Sequence, residues 1–394
     1  MSEEKKYCEK KYCDVEKVME CSCAIAEAVK LCKPDVISMY PITPQTHIIE
    51  HLAELHDSGK LDSELIAVES EHSAISAVLG ASCYGARTFT STAAQGLALM
   101  HEILYIVSSM RMPCVMAVAN RALSGPINIW CDHSDSMGAR DSGWIQLYCE
   151  SSQEAIDTTI QAYKIAENKN VELPVMVCVD GFSLSHVSEV VKFPYQLKVD
   201  KFLPKWNPEI KLDPKKPVTM GPIAYPDSYM NFKKQQADAM ENALKVIKEV
   251  NSEYSKTILK QNGNGLIETY RTSDAEVLLI GVGSMIGTMR VAVDELRKKG
   301  IKAGILKIKC FRPFPKEEII KAVKNPKKII VFDRACSLGN MGVLGLEIKS
   351  LLNSKKEFKN CIIGLGGRDV RKIDIINVVK SKSSDEIVWV NLNG

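Results

Sequence analysis

The sequence lacks the features that would direct a protein to a membrane, a secretory route or a nucleic-acid complex. No uninterrupted apolar run reaches the roughly 18 residues that a membrane span needs. The charged start, residues 1–6, leads into no signal-type apolar segment. The net charge is only +3 over 394 residues, too small an excess for a nucleic-acid surface. We therefore expect a cytoplasmic protein with no membrane or nucleic-acid partner.

Cysteine is abundant, with 13 residues, but the usual spacings of cysteine-based sites are missing. Many cysteines are scattered through apolar segments, which suits reduced, buried thiols better than a disulfide framework. The densest group has neither the C-x-x-C-x-x-C spacing of a ferredoxin nor a paired C-x-x-C zinc pattern. We expect structural or incidental cysteines there, with a metal site or redox sensitivity as the alternative, and we expect no metal or iron–sulfur cluster bound by this chain alone. The group consists of Cys8, Cys13, Cys21, Cys23 and Cys32.

The sequence does contain two blocks in which helix and strand patterns alternate. In the first block, apolar strands such as 36–40 and 114–119 alternate with helical segments such as 71–83 and 95–109. Strands that are apolar throughout and separated by helices predict a parallel sheet covered on both faces. We therefore predict an α/β fold with these parts: an N-terminal extension (1–16), a doubly wound domain (17–185), a proline-rich arm with a linker helix (186–270) and a second α/β domain (271–394).

Four consecutive strand ends in the first block carry polar residues, namely Thr43, Glu71, Gln95 and Arg121. The Thr43 hydroxyl could hydrogen-bond a substrate carboxylate or carbonyl, although the prolines around it could equally mark a simple helix start. Glu71 could contact a ring nitrogen of a cofactor or merely complement a helix dipole. Arg121 could clamp a carboxylate or form a surface ion pair. Ligands in open α/β sheets bind at this edge, so the convergence favours a site.

A second possible site, Gly281-Val282-Gly283, follows a strand and opens a helix as a dinucleotide-binding loop would. The third glycine of that pattern is replaced by Ile286, and no acidic residue ends the next strand at the usual distance. A tight strand-to-helix turn is the better interpretation, which disfavours a nicotinamide-dependent dehydrogenase.

Several motifs resemble those of the alpha subunits of pyruvate:ferredoxin oxidoreductases (pyruvate synthases), within the 2-oxoacid:ferredoxin oxidoreductase family. The resemblance runs from about residue 17 to the end of the chain. The motifs that carry it are Tyr40-Pro41-Ile42-Thr43-Pro44-Gln45, Glu69-Ser70-Glu71-His72-Ser73-Ala74, Thr92-Ala93-Ala94-Gln95-Gly96-Leu97, Asn120-Arg121-Ala122-Leu123-Ser124-Gly125-Pro126, Asp132-His133-Ser134-Asp135, Arg140-Asp141-Ser142-Gly143-Trp144 and Asp180-Gly181-Phe182.

The resemblance implies a pyrimidine-type thiamine-diphosphate-binding domain followed by a domain like the C-terminal domain of transketolases. Glu71 would bind N1′ of the aminopyrimidine and favour the imino tautomer that activates the thiazolium carbon. Thr43 and Arg121 would hold the 2-oxo acid. The cofactor pocket would further be lined by Ile42, Thr92 and Gln95.

One missing motif fits this resemblance. Enzymes of this class bind the Mg²⁺–diphosphate group through a G-D-G motif, and no G-D-G occurs in the chain. The resemblance therefore implies that Mg²⁺ and [4Fe-4S] clusters belong to partner beta, gamma and delta subunits or fused equivalents, so that thiamine diphosphate is shared between chains. Coenzyme A would be the co-substrate, and ferredoxin would receive the electrons through the complex.

The implied reaction is the reversible, coenzyme A-dependent oxidative decarboxylation of pyruvate to acetyl-CoA and CO₂. Two alternatives remain open at this point. One is a sister enzyme that acts on 2-oxoisovalerate or 2-oxoglutarate, and the other is a non-catalytic scaffold subunit. The intact Thr43, Glu71 and Arg121 argue against the scaffold.

Overall fold

The computed structural model describes residues 14–353 and 356–392, so Cys8 and Cys13 lie outside the described residues. The strands run in chain order as β1 (Val15–Glu20), β2 (Val36–Met39), β3 (Glu64–Ala67), β4 (Thr88–Thr92), β5 (Val115–Asn120), β6 (Ile145–Tyr148), β7 (Val175–Asp180), β8 (Ser188–Phe193), β9 (Ile267–Tyr270), β10 (Val277–Gly281), β11 (Ala303–Ile308), β12 (Cys310–Arg312), β13 (Lys328–Asp333), β14 (Glu357–Ile362) and β15 (Ile387–Trp389). The helices are α1 (Cys21–Cys32), α2 (Thr46–Asp57), α3 (Glu71–Cys83), α4 (Ala94–Leu99), α5 (His101–Ser109), α6 (Ser134–Gly138), α7 (Ser152–Ala166), α8 (Gln196–Phe202), α9 (Tyr229–Thr257), α10 (Met285–Lys298), α11 (Lys316–Val323), α12 (Val343–Lys349) and α13 (Lys372–Lys380).

The strands form two large sheets and one two-stranded ribbon. The first sheet has the order β12-β6-β7-β5-β4-β2-β3, and its strands pair in parallel except for β12. The second sheet has the order β15-β14-β13-β10-β11-β9 and is parallel except for β9. The ribbon pairs β1 with β8. Parallel strands connected by helices confirm the predicted α/β class.

Alternate residues of each central strand belong to different cores, which explains why these strands are apolar throughout. In β5, Val115 and Ala117 belong to the core beneath α1 and α7, whereas Met116 and Val118 face a core shared with the second sheet. In β13, Ile329 faces that shared core, and the next residue packs beneath α10 and α13. Successive side chains of a strand point to opposite faces, so the two sheets enclose one common apolar layer.

The sheets depart from the predicted domain bounds at two strands. β9 lies in the second sheet although it precedes residue 271, the predicted start of that domain. β12 comes from the predicted second domain but pairs antiparallel with β6 of the first sheet. β12 joins the first sheet because its Phe311 side chain is fully buried in the core that the two sheets share. The bounds of the domains as units stay predictions.

The arm and one long predicted helix of the first block also differ in detail from the prediction. The predicted irregular arm begins with β8 and α8, because Val191 and Phe202 pack into the first core. The predicted helix over 95–109 is two helices with a break at Met100, which is fully buried. In the described part of the chain, none of the helices combines the length and the apolar character of a membrane-spanning segment.

Candidate active site

The four polar strand ends predicted from the sequence lie at one edge of the first sheet. Arg121 follows β5, Gln95 lies in the first turn of α4 after β4, Thr43 follows β2 and Glu71 begins α3 after β3. The sheet order β5-β4-β2-β3 makes these strands consecutive neighbours. Because the strands are parallel, their carboxyl ends meet at the same edge, which is where open α/β sheets bind ligands.

Glu71 is held at the first turn of α3 in a buried position. Ser70 caps the helix, its hydroxyl accepting a hydrogen bond from the backbone N–H of Ser73 at 3.2 Å. The Glu71 side chain is only 6% exposed. A Cβ atom built on Gly96 would lie 2.6 Å from Glu71 Oε1 and 2.4 Å from Thr92 Oγ1. The carboxylate and the hydroxyl therefore lie against the same glycine, and only glycine leaves them room.

Two buried polar atoms in this segment have no hydrogen-bond partner among the described residues. They are Oγ1 of Thr92, which lies against the same glycine as the Glu71 carboxylate, and Oε1 of Gln95, the residue before that glycine. Buried polar groups are almost always paired, so these unpaired atoms call for an explanation. A polar heterocycle such as an aminopyrimidine carries donors and acceptors that would pair with them, so these residues fit the predicted cofactor.

Arg121 and Thr43 form a second group at the same edge. The guanidinium is 7% exposed and donates from Nη1 to the carbonyl oxygen of Thr43 at 2.9 Å and from Nε to that of Asn128 at 3.0 Å. The Thr43 side chain is exposed. Arg121 thus fixes the loop that carries Thr43, a positioning role that the sequence did not predict.

The loop after β2 is held from below by a buried glutamine. The Gln45 amide donates to the backbone carbonyl of Ser91 at 2.9 Å, and its carbonyl accepts from the N–H of Ile42 at 3.2 Å. Pro44 lies against Gly181, where an added Cβ would come within 2.8 Å of the proline ring. The half-buried Ile42, predicted to line the cofactor pocket, packs against the first core. Its predicted contact with the cofactor stays a prediction.

Asp135 joins the two groups. One carboxylate oxygen accepts hydrogen bonds from the backbone N–H of Ala94 at 3.0 Å and of Arg121 at 2.9 Å. The other accepts from the Asn120 amide at 2.8 Å and from the N–H of Ser136 at 2.7 Å. Burial raises the pKa of Asp135 to about 6, although the hydrogen bonds from Arg121, Asn120 and Ala94 oppose the shift. Ala94 has φ +40°, a strained value for a residue with a side chain.

Asp135 lies within one of the motifs that carry the family resemblance, but no role was predicted for it. Its charge suggested nothing by itself, because an aspartate in a loop is ordinarily a surface residue. No hydrogen bond or ion pair among the described residues joins Glu71 directly to Arg121. The structure brings Glu71 to Thr92 and Arg121 to Thr43, and Asp135 holds the backbone of both groups.

Asp180, at the end of β7, is occupied by a contact between the two sheets. It pairs with His133 Nε2 at 2.7 Å and with Arg334 Nη1 at 2.6 Å, and it accepts from the N–H of Ser284 at 3.0 Å. Burial alone would raise the pKa of Asp180, but His133 and Arg334 lower it below its usual value. Gly283, with φ +73°, leaves room for this carboxylate. The glycine pair at 281–283 is therefore a tight turn against Asp180.

One large cavity lies away from these groups. It measures about 880 Å³ and is lined by the end of α5, the arm and the start of α9, including Met110, Trp206, Met220 and Phe232. The end of α5 leads into the amino end of β5, so the cavity lies opposite the edge that carries Arg121.

Comparison with known proteins is consistent with this arrangement. Residues 27–252 match the model of the thiamine diphosphate-binding domain of pyruvate flavodoxin/ferredoxin oxidoreductases, and residues 275–375 match core domain II of pyruvate:ferredoxin oxidoreductase. Pyruvate synthase subunit PorA of Methanocaldococcus jannaschii is 53% identical over 96% of this chain and 98% of that protein. The PorA subunit of Thermotoga maritima is 49% identical over 88% and 89%.

Two further relatives extend the comparison to other 2-oxo acids. Ketoisovalerate oxidoreductase subunit VorA of Pyrococcus horikoshii is 43% identical over 97% of this chain and 99% of that protein. A solved 2-oxoglutarate:ferredoxin oxidoreductase of Magnetococcus marinus shares the fold, with a TM-score of 0.74 and 23% identity over 94% of this chain. The chain spans 65% of the length of that solved chain. From the two family models and the closely similar full-length relatives, the chain belongs to the family of pyruvate flavodoxin/ferredoxin oxidoreductases.

Proposed function

We propose that this chain is the subunit of a pyruvate:ferredoxin oxidoreductase that binds the aminopyrimidine of thiamine diphosphate and the 2-oxo acid. The complete reaction converts pyruvate and coenzyme A to acetyl-CoA and CO₂, and the two electrons released pass to ferredoxin. The observation that carries the proposal is the placement of Glu71 with Thr92, and of Arg121 with Thr43, at one sheet edge. The shared hydrogen-bond acceptor Asp135 fixes both groups.

When bound, thiamine diphosphate supplies a thiazolium carbon that adds to the carbonyl of the 2-oxo acid. Glu71 would hold a proton shared with a ring nitrogen of the aminopyrimidine, because its buried carboxylate points towards Gly96 and the unpaired Thr92 hydroxyl. Thr92 and Gln95 would donate to or accept from the polar atoms of the same ring. In a site with little water such contacts gain strength, since screening is weak.

Arg121 and Thr43 would bind the substrate. Nη2 of Arg121 makes no hydrogen bond within the described residues, whereas Nη1 and Nε are used to hold the backbone. The free donor and the exposed Thr43 hydroxyl would orient the carboxylate and the carbonyl of the 2-oxo acid. A preorganised cation there also stabilises the negative charge that develops on the substrate.

The remaining parts of the enzyme are assigned to other chains. The one acid that resembles a diphosphate-site motif, Asp180, is already paired with Arg334 and His133. We infer that Mg²⁺, the [4Fe-4S] clusters and the ferredoxin contact lie in beta, gamma and delta subunits or their fused equivalents. We also place the complex in the cytoplasm, since the described cysteines are free and most are buried.

Pyruvate is the proposed substrate because the PorA subunits of pyruvate synthases are up to 53% identical to this chain, against 43% for the ketoisovalerate subunit. The second candidate substrate is 2-oxoisovalerate, because the ketoisovalerate oxidoreductase subunit is 43% identical to this chain over nearly its whole length. A panel of pyruvate, 2-oxoisovalerate and 2-oxoglutarate, tested with the assembled complex, separates the two. The highest kcat/KM with pyruvate supports the proposal, and a preference for a branched 2-oxo acid would replace pyruvate.

The substrate role of Arg121 is tested by Arg121→Ala in the assembled complex. We expect KM for the 2-oxo acid to rise roughly 10- to 100-fold, as for a lost hydrogen bond to a charged group, while KM for coenzyme A stays nearly constant. Arg121→Lys keeps the charge but loses the fork of donors and should give an intermediate value. An equal rise of both KM values would contradict the substrate contact.

A further inference from the structure

Three metal-ligating side chains meet near the Thr43 loop but outside the proposed active site. Glu20 ends β1, His47 lies in the first turn of α2, and His186 follows the turn after β7. All three are half-buried, so solvent reaches them. The active-site assignments above use none of the three.

The donor atoms of this group are close enough to share one ion. Glu20 Oε1 lies 2.7 Å from His47 Nδ1, and the rings of His47 and His186 have centroids 4.4 Å apart at an interplanar angle of 33°. One donor atom from each residue lies within 4.8 Å of the other two. Tetrahedral zinc with bonds near 2.0 Å needs donors about 3.3 Å apart, which small side-chain rotations reach.

A neighbouring hydroxyl prepares the His186 ring for ligation. Ser185 Oγ accepts a hydrogen bond from the N–H of Phe182 at 2.9 Å and lies 2.8 Å from His186 Nδ1. With Nδ1–H donating to that oxygen, Nε2 keeps its lone pair, the outer-shell arrangement common in metal-binding histidines.

A simple ion pair accounts for only part of this geometry. The Glu20–His47 contact uses one carboxylate oxygen, and among the described residues the adjacent His186 ring forms no ion pair with an acid. A divalent cation can bind the carboxylate and both tilted imidazole rings at once.

A second group of possible ligands does not support a metal site. Cys131, His133 and Asp180 also lie close together, and all three are buried. The Arg334 guanidinium, however, already lies 2.6 Å from Asp180. A cation is therefore present in that group, and a second one would meet strong repulsion.

We propose that Glu20, His47 and His186 bind a divalent transition-metal ion of the zinc class. Two imidazoles and one carboxylate supply three ligands, and a water molecule completes a tetrahedral site on the solvent side. The site lies in this chain, where the sequence predicted no metal, and it does not depend on the proposed function.

The test is a titration of the purified full-length chain with zinc chloride, followed by calorimetry. The wild type should bind one more Zn²⁺ per chain than the double variant His47→Asn/His186→Asn. His56→Asn is the matched control, because His56 lies on the same helix with 43% side-chain exposure against 44% for His47. Cys8 and Cys13 are unchanged in every variant, so zinc bound there cancels in the comparison. Equal stoichiometry and affinity in the wild type and the double variant would overturn the site.

A single variant covers the case in which the double variant does not fold. Glu20→Gln keeps the shape of the side chain but removes the anionic ligand, so we expect Zn²⁺ to bind at least tenfold more weakly at this site. Unchanged affinity in a Glu20→Gln chain whose circular dichroism matches the wild type would equally overturn the proposal.

Discussion

Asp135 shows how much one buried acid can determine in this site. Its two oxygens accept hydrogen bonds from four N–H groups, two of which belong to the backbone of Ala94 and Arg121. Only an ionised carboxylate accepts at all four positions. Asp135 therefore acts on the site through the backbone of Ala94 and Arg121.

The raised pKa of Asp135 makes its contribution to stability depend on pH. The pKa is about 6 in the folded chain and about 3.9 in an unfolded one. Between these values the folded state holds a proton that the unfolded state has lost, so this contribution is present below pH 4 and is lost as the pH rises to 6. Asp135→Asn removes the titration. We expect the unfolding free energy of the wild type, relative to the variant, to fall by about 2–3 kcal/mol over this range.

Urea unfolding of both proteins at several pH values between about 3.5 and 7 measures this difference. If the unfolding free energies of the wild type and of Asp135→Asn change in parallel with pH, Asp135 does not titrate in this range. The constant difference between the two free energies is a separate quantity. It arises because the asparagine NH₂ group cannot accept the hydrogen bonds of the two N–H donors that it would face.

At the residue scale, the predictable members of the site were those that follow apolar strands. Thr43, Glu71 and Arg121 follow strand patterns, and the carboxyl ends of parallel strands share an edge. Asp135 lies in the long connection between β5 and β6, where no periodicity places a residue in space. Its role depends on contacts with distant N–H groups, which local sequence does not specify.

The short helix α4 determines where the Glu71 carboxylate can lie. Gly96 on α4 faces both Glu71 and Thr92, and a methyl group there would come within 2.6 Å of the carboxylate. A contact this short would displace the Glu71 carboxylate, whereas α4 itself would stay folded.

Gly96→Ala therefore should reduce binding of thiamine diphosphate by the assembled complex at least tenfold, with only a small change in the urea midpoint. Calorimetry of cofactor binding gives the readout. Gly80→Ala is the control, since Gly80 lies in α3 with nothing within 4 Å of an added methyl group, and alanine is the better helix former. Equal cofactor affinity in the two variants would show that Glu71 need not lie against Gly96.

At the element scale, the continuous apolar strands were predictable, whereas β6 was not. β5 and β13 are continuous apolar runs, and the structure places them at the centres of their sheets. β6 contains the buried Gln146, whose amide bonds to the carbonyl of Ser136, and so gives no apolar signal. β14, at Glu357–Ile362, likewise interrupts its apolar run with a lysine, since the buried Lys359 bonds to the carbonyl of Ser383.

Charged side chains as well as apolar ones make contacts between the two sheets. Asp180 of the first sheet pairs with Arg334 and Ser284 of the second, and all the charged atoms of the pair are buried. Lys307 of the second sheet likewise bonds to Glu150 and Glu154 near the first. The sequence predicted two α/β domains, but contacts between residues 150 positions apart leave no local pattern.

Arg334→Met should lower the free energy of unfolding by about 3–5 kcal/mol, because it leaves the buried Asp180 carboxylate without its guanidinium partner. Urea unfolding of the purified chain measures the loss. Lys349→Met is the control, since the Lys349–Glu386 pair has about half of each side chain exposed and such pairs contribute about 0–1 kcal/mol. Similar losses in both variants would indicate that the Asp180–Arg334 pair does not hold the sheets together.

At the scale of the whole molecule, the proposed function assigns this chain one part of a reaction centre that it shares with other chains. The Glu71 carboxylate, the Thr92 hydroxyl and the Arg121–Thr43 pair lie at the sheet edge, while a diphosphate site is not found among the described residues. We therefore expect the isolated chain to be inactive with pyruvate and coenzyme A. Turnover would require the partner chains.

The most direct measurement of the central claim compares Glu71→Gln with Glu69→Gln in the assembled complex. Glu71 begins α3 and is buried against Gly96. Glu69 precedes the helix, is exposed and accepts a hydrogen bond from the Ser73 hydroxyl. Pyruvate-dependent reduction of ferredoxin should fall at least 100-fold in Glu71→Gln and stay near the wild-type rate in Glu69→Gln. Wild-type turnover by Glu71→Gln at saturating thiamine diphosphate would contradict the account.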